Sequence, residues 1–323
     1  MALLTELSLR AAVPLAAEFG LDLRAIEPLS AGSVNSNFRL TDALGKIYFA
    51  RLYEEQDHEG AAREHALVQA LAESGVPVVR ALRSKSGESL ADFGGKAFAV
   101  FPWVDGEILC QGRVTPDACR KLGAALARVH LSSDRAPALP EGRFRVPDLR
   151  ARLKRVTASG RSSLYPAVKE IEERLEHYQA QRDEGLALGI CHGDLFRDNV
   201  LWQGGEVSAL LDFESACRSN FAYDLMVTTG AWCYGAAYEL PLVQALFDGY
   251  RAVRPVPARE VRAMLSEGAI GCLRFATTRL TDFSLRVPDG AKPVRDYGRF
   301  LARLRALESG VLDGCLRTLG ALA

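Results

Sequence analysis

Residues 191–213 read CHGDLFRDNVLWQGGEVSALLDF, and no other stretch restricts the fold of this 323-residue chain as tightly. Apolar pieces of strand length (LGIC, NVLW and VSALLDF) alternate with polar residues, and Gly204-Gly205 marks a tight turn between the last two. The pattern predicts a short strand, a polar loop GDLFRD and a hairpin. A hairpin brings its two ends together, so Asn199 at one end and Asp212 at the other face a common point. Oxygen ligands converging there suit a hard cation such as Mg²⁺, which takes few protein ligands and completes its shell with water and phosphate. Asp198 reads as a structural hydrogen-bonder of the same loop, and His192, preceded by apolar residues, as a buried and satisfied histidine.

The rest of the chain divides around this segment. Residues 5–19 carry helical apolar spacing that Gly20 ends. Three antiparallel strands follow, near 26–29, around Phe38 and Leu40, and over 47–53, where Ile47, Phe49, Arg51 and Tyr53 share one face. A helix over 60–73 precedes two more expected strands, at 78–83 and 97–103. After Val104-Asp105-Gly106 the periodicity becomes mostly helical, interrupted by the strand and hairpin of the segment above. The expected architecture is α+β: a small antiparallel-sheet lobe over 1–104 and a larger, mostly helical lobe over 105–323.

Lys+Arg and Asp+Glu both number 40, so no global field draws the chain to nucleic acid or to anionic lipid, and a small neutral or zwitterionic partner fits better. The arginine-rich run LARLRALESG reads as a solvated helix face. Seven scattered cysteines without C-x-x-C spacing argue against a zinc site or a disulfide framework. With no apolar run long enough to span a bilayer and no basic leader, the expected compartment is the cytoplasm.

HGDLFRDN followed by LLDF resembles the catalytic and metal loops of protein-kinase-like phosphotransferases, because the step from Asp194 to Asn199 equals that of the H-R-D-x-x-x-x-N loop. The H-G-D form is similar to that of the aminoglycoside and choline phosphotransferase group, which acts on small molecules. The resemblance implies a two-lobe kinase-like fold with ATP and Mg²⁺ as cofactors. By position it implies Asp194 as the base for the acceptor hydroxyl, Asn199 and Asp212 as metal ligands, and His192 orienting the loop.

In the same frame SAGSVNSN, with Gly32, Ser33 and Asn35, lies where backbone N–H groups would line the nucleotide phosphates; a plain hairpin turn is the other reading. The phosphate-binding cation on the third strand would be Arg51, where the wider pattern has Lys, with Glu64 as its partner. FAVFPWVDGE resembles the lobe connector, in which backbone groups of residues 101–104, Phe101, Trp103 and Val104 among them, would bind the adenine edge; an ordinary edge strand fits it too.

For the acceptor, residues 213–323 hold 11 acidic and 14 basic side chains, which disfavours a polycationic aminoglycoside. Trp232, Tyr234 and Tyr223 could form a cage for a quaternary amine or could be core. FESACRSNFAYDLMVTTGAWCY, LRFATTRLTDF and GSVNSNF are similar to segments of bacterial homoserine kinases of the aminoglycoside-phosphotransferase fold. That resemblance covers most of the chain and implies phosphorylation of L-homoserine. A zwitterionic acceptor needs a cation and an anion near its hydroxyl, and Arg279 with Asp282, three apart on one helix face, could supply them or form a surface bridge. Asp224 is expected to lock the loop behind the metal site. The alternatives are a kinase for another small alcohol (an aminoglycoside, choline or hydroxylysine) and a non-catalytic nucleotide-binding module, which the Arg51 departure alone favours.

Overall fold

The computed structural model describes residues 5–29, 34–135, 137–288, 291 and 293–320. Gly32 and Ser33 lie outside the described residues. Helix α1 (Leu9–Glu18) starts at Ser8, whose hydroxyl accepts from the Ala11 N–H. It packs on a five-stranded antiparallel sheet of β1 (Leu23–Leu29), β2 (Ser36–Asp42), β3 (Ile47–Leu52), β4 (Ala91–Phe93) and β5 (Lys96–Pro102), ordered β1-β2-β3-β5-β4. The period of two sorts the faces of β3. Ala50 and Leu52 join Leu15, Phe19, Leu40 and Phe98 in the core beneath α1, while Arg51 points the other way. There it meets α2 (His58–Glu73), capped by Asp57.

The strand expected at 78–83 does not form. Val78 makes a single parallel bridge to Leu210, Leu82 N–H donates to Val100 O, and the fourth strand is the short Ala91–Phe93 beside the Gly94-Gly95 turn. The apolar run there seals the two lobes together instead of extending the sheet. Leu67, Val68 and Leu71 of α2 do likewise, packing into the core of the helical lobe.

That lobe contains α3 (Pro116–Leu131), α4 (Val146–Ala158), α5 (Tyr165–Gln179), α6 (Phe221–Trp232), α7 (Leu240–Arg251), α8 (Ala258–Asp282), α9 (Gly298–Glu308) and α10 (Asp313–Gly320). Glycines let α3 and α7 approach closely. A Cβ at Gly249 would lie 1.8 Å from Arg120 O and one at Gly123 would lie 2.1 Å from Leu246 O, so neither position admits a side chain without moving backbone. Two small ribbons sit on this bundle: β6 (Leu188–Cys191) pairs with β9 (Cys217–Asn220), and β7 (Val200–Gln203) forms the expected Gly204-Gly205 hairpin with β8 (Glu206–Leu210). All seven cysteines are free thiols. Among the described residues no helix is long and apolar enough to cross a membrane. The run 301–308 is not simply a solvated face, because Arg303 is buried.

Candidate active site

The polar loop between β6 and β7 is held from behind by one buried acid. Asp224, in the first turn of α6 and wholly buried, accepts 2.7 Å hydrogen bonds from the N–H groups of His192 and Gly193, and pairs at 3.1 Å with His130 Nε2. Burial alone would raise its pKa, but His130, His192 and the Gly193 N–H together hold it below the ordinary carboxylate value. The position behind the loop is the one expected for it. His192 is also fully buried: its Nδ1 accepts from the Asp194 N–H at 3.3 Å, which assigns the proton to Nε2, and Nε2 donates to Leu211 O at 2.9 Å. Gly193 takes φ 73°, a conformation that glycine adopts without strain, and a Cβ there would press on Ser215 O at 3.0 Å.

These contacts join the loop to the strand end. The Leu211 N–H donates to Asn199 O at 2.9 Å, and Asn199 Nδ2 donates to Asp194 O at 2.8 Å. Asp194, Asn199 and the residue before Asp212 therefore form one stitched unit. Because the Asn199 amide nitrogen is used inward, its Oδ1 is the atom left to face outward. Asp212 follows β8 by two residues, in a left-handed conformation (φ 62°, ψ 69°) that no other non-glycine adopts among the described residues. A backbone held there costs about 1–3 kcal/mol and persists only where the surroundings enforce it. Its carboxylate receives no hydrogen bond among the described residues. Asp198 is exposed and makes no side-chain hydrogen bond among them either, contrary to expectation.

Across the cleft, Arg51 lies 3.8 Å from Glu64 and between the rings of Phe49 and Tyr53, each 5.8 Å away. Burial works against its charge, but Tyr53, Asp212, Glu64 and Glu214 together raise its pKa. Glu64 is pushed up to about 7, by burial first, with Arg51 opposing and Asp212 and Glu214 adding to the rise. Asp212, Glu64 and Glu214 thus concentrate negative charge where a cation would relieve it. An outward amide oxygen and an unpartnered carboxylate are the hard oxygen donors that Mg²⁺ takes, so the residues present fit that ion.

A model of the family described as "Phosphotransferase enzyme family" matches residues 25–256. A homoserine kinase of Methylocella silvestris is 33% identical over 310 residues, covering 93% of this chain and 92% of its own. One from Methylobacterium radiotolerans is 32% identical over 93% and 95%. The chain belongs to the phosphotransferase enzyme family. Among solved structures, an amicoumacin kinase bound to AMP-PNP, Ca²⁺ and its antibiotic superposes with a TM-score of 0.69 at 16% identity, covering 95% of this chain and 94% of its own. A choline kinase from Cryptosporidium parvum gives 0.65 at 14% identity, covering 92% of each chain. The fold is therefore the two-lobe, protein-kinase-like one. This phosphotransferase acts on a hydroxyl group of a small molecule, and its kinase relatives imply the use of ATP.

Several residues expected at the site are engaged elsewhere. Asn35 Nδ2 donates to Glu214 at 3.2 Å and its Oδ1 accepts from the Glu54 N–H, so its side chain fastens the sheet lobe to the segment after Asp212. In the connector the Phe101 side chain packs against Phe49 and His65, Trp103 is exposed with its indole N–H on Asp105, and Val104 lines a cavity of 440 Å³ with Val78, Pro102 and Ser208, and none of these side-chain contacts occupies the backbone groups expected to meet the adenine edge. None of Arg51, Asp194 and Asp212 borders that cavity. Trp232 cannot contact an acceptor: it is fully buried, and its indole N–H donates to Leu195 O at 2.9 Å, bracing the loop from below. The pairing of Arg279 with Asp282 is also absent. Asp282 is held by Arg152 at 2.9 Å, while Arg279 donates to Asp296 O and covers the ring of Phe300.

A contact the sequence did not reveal takes their place. Arg274, on α8 and buried, reaches the catalytic loop with Nη1 3.0 Å from Gly193 O and 3.2 Å from Asp194 Oδ1. It lay inside the quoted LRFATTRLTDF segment, but its partner is 80 residues away in sequence.

Proposed function

We propose that this chain transfers the γ-phosphoryl group of Mg²⁺-bound ATP to the side-chain hydroxyl of L-homoserine. In this reading residues 1–104 present the nucleotide, and residues 105–323 supply the catalytic loop and the acceptor site. The observation that carries it is the stitching of Asp194, Asn199 and the strand end before Asp212 into one unit. Relatives that are homoserine kinases along nearly the whole chain support the choice of acceptor.

Asn199 Oδ1 and the Asp212 carboxylate would hold the ion. When bound, the ion would supply positive charge to offset the negative charge that develops on the transferred group. Arg51, fixed by Glu64 and two rings, presents a cation to the phosphates. Asp194 Oδ1 is engaged by Arg274, which leaves Oδ2 to accept the hydrogen bond of the acceptor hydroxyl and then its proton. The transition state is loose, so most of the acceleration comes from positioning and from charge neutralisation.

An acceptor panel with an ADP-release assay tests the substrate, L-homoserine set against choline, hydroxylysine and an aminoglycoside. Asp194→Asn is expected to abolish turnover while ATP still binds, and Asp212→Ala to remove metal-dependent nucleotide binding. Near-normal turnover in Asp194→Asn rejects the mechanism, and turnover of every acceptor but homoserine rejects the substrate.

A further inference from the structure

Arg274 is more than a brace for the loop. Its guanidinium lies against the rings of Phe144 and Phe275, 4.3 and 3.8 Å from their centroids, and its N–H groups lie along its edges, where a hydrogen-bonding partner must sit. One edge is committed, since Nη1 makes both bonds to Gly193 O and Asp194 Oδ1. On the other edge Nε is buried and has no hydrogen-bond partner among the described residues. Orphaned buried donors of this kind are rare and costly in native structures, and a ligand is one way to satisfy them.

The chemistry of the missing partner follows from the fork. Nε and Nη2 of a guanidinium present two parallel N–H groups that match a carboxylate in bidentate fashion. The electrostatic setting agrees. Beyond Phe275, stacked on Phe300 at 4.9 Å, lie Arg279 and Arg303 over the same Phe300 ring, and Arg303 Nε and Nη1 are also buried with no hydrogen-bond partner among the described residues. Phe196 of the catalytic loop packs on both Phe275 and Phe300, so this positive wall adjoins the loop that carries Asp194. In an extended four-carbon hydroxy amino acid the hydroxyl oxygen and carboxylate carbon lie about 5 Å apart. A hydroxyl on Asp194 therefore brings the carboxylate within reach of a guanidinium whose Nη1 is 3.2 Å from that same side chain.

We propose that Arg274 is the specificity-determining residue for the acceptor, receiving its α-carboxylate on the Nε/Nη2 edge while Nη1 holds Asp194. This rests on the reading of the chain as an amino-acid kinase and adds which residue selects the acid. It also gives a reason for excluding cationic alcohols, which would meet the arginines without a carboxylate to offset the repulsion.

The experiment compares L-homoserine with 3-aminopropan-1-ol, which keeps the hydroxyl and the ammonium but lacks the carboxylate, in the wild type and in Arg274→Met and Arg274→Lys. ADP release gives kcat and KM, and ATP binding checks the fold. Both acceptors are expected to lose kcat by a common factor in Arg274→Met, because Asp194 loses its support. Homoserine alone should lose a further tenfold to hundredfold in kcat/KM, roughly the worth of a charge-assisted bond, with Arg274→Lys intermediate. Equal losses for the two acceptors overturn the assignment and leave the homoserine reading intact. No wild-type turnover of homoserine brings down both. Should the variants not fold, inhibition of the wild type decides. L-2-aminobutyrate is expected to compete with homoserine and its amide is not, whereas equal inhibition by the two refutes carboxylate recognition.

Discussion

Replacing Asp224 by Asn changes one atom and tests the scaffold behind the loop. The aspartate accepts three hydrogen bonds, from His192 N–H and Gly193 N–H at 2.7 Å and from His130 at 3.1 Å, with no exposure to water. An asparagine keeps one acceptor oxygen but turns an NH₂ toward a backbone N–H, so two donors meet head to head, and the His130 imidazole, which burial keeps neutral, no longer donates to a charged oxygen. Losing a buried hydrogen bond to a charged group costs about 1.5–3 kcal/mol. Unfolding entropy of about 2.1 cal/mol/K per residue over 323 residues gives about 0.7 kcal/mol/K, so the melting temperature should fall by about 2–4 °C. Differential scanning fluorimetry reads this, and ADP release should show kcat reduced with KM for ATP little changed, because the nucleotide side of the cleft is untouched. A variant that melts within 1 °C of the wild type and turns over normally refutes the claim that Asp224 holds the loop.

Arg51→Lys keeps the charge but loses the flat fork and the two ring contacts, so KM for ATP should rise roughly fivefold to thirtyfold, equivalent to 1–2 kcal/mol; an unchanged KM removes Arg51 from the phosphate site. Asp282→Asn should leave KM for homoserine within about twofold, since that carboxylate belongs to Arg152, and a tenfold rise would restore it to the acceptor site. Glu54 is held down to about 2: burial opposes its ionisation, but Lys96, Ser36 and Thr5 outweigh it. Because the folded-state value lies below the ordinary 4.5, the folded protein binds fewer protons there than the unfolded chain. Its contribution to stability is then complete above about pH 4.5 and lost as the pH falls toward 2. Urea midpoints between pH 5 and 3 should drop less steeply in Glu54→Gln than in the wild type, and parallel slopes would show that Glu54 is not the sensor.

What could be read from the sequence is what is encoded locally. The spacing of Asp194, Asn199 and Asp212 around a Gly-Gly hairpin is a matter of 19 residues, and a turn brings its own ends together. The alternation in β3 placed Arg51 opposite the core for the same reason. Long-range partners were not legible. Asp282 and Arg279 share a helix face by periodicity, yet nothing in that periodicity announces Arg152, 130 residues away from Asp282, or the Gly193 carbonyl that Arg274 finds. Trp232 was ambiguous because an aromatic near a site suits a cage or a core equally, and the Leu195 carbonyl decides between them. The apolar run at 78–83 had strand composition, but its residues seal the lobes, so tertiary packing overrode the local preference.

The left-handed backbone at Asp212 bears on how this protein could be hardened. Glycine relaxes in that conformation while an L side chain does not, so Asp212→Gly would withstand heat better and catalyse nothing. Selection for ruggedness and selection for turnover pull in opposite directions at this position. A heat-challenge screen that never asked for product would enrich the glycine and discard the enzyme.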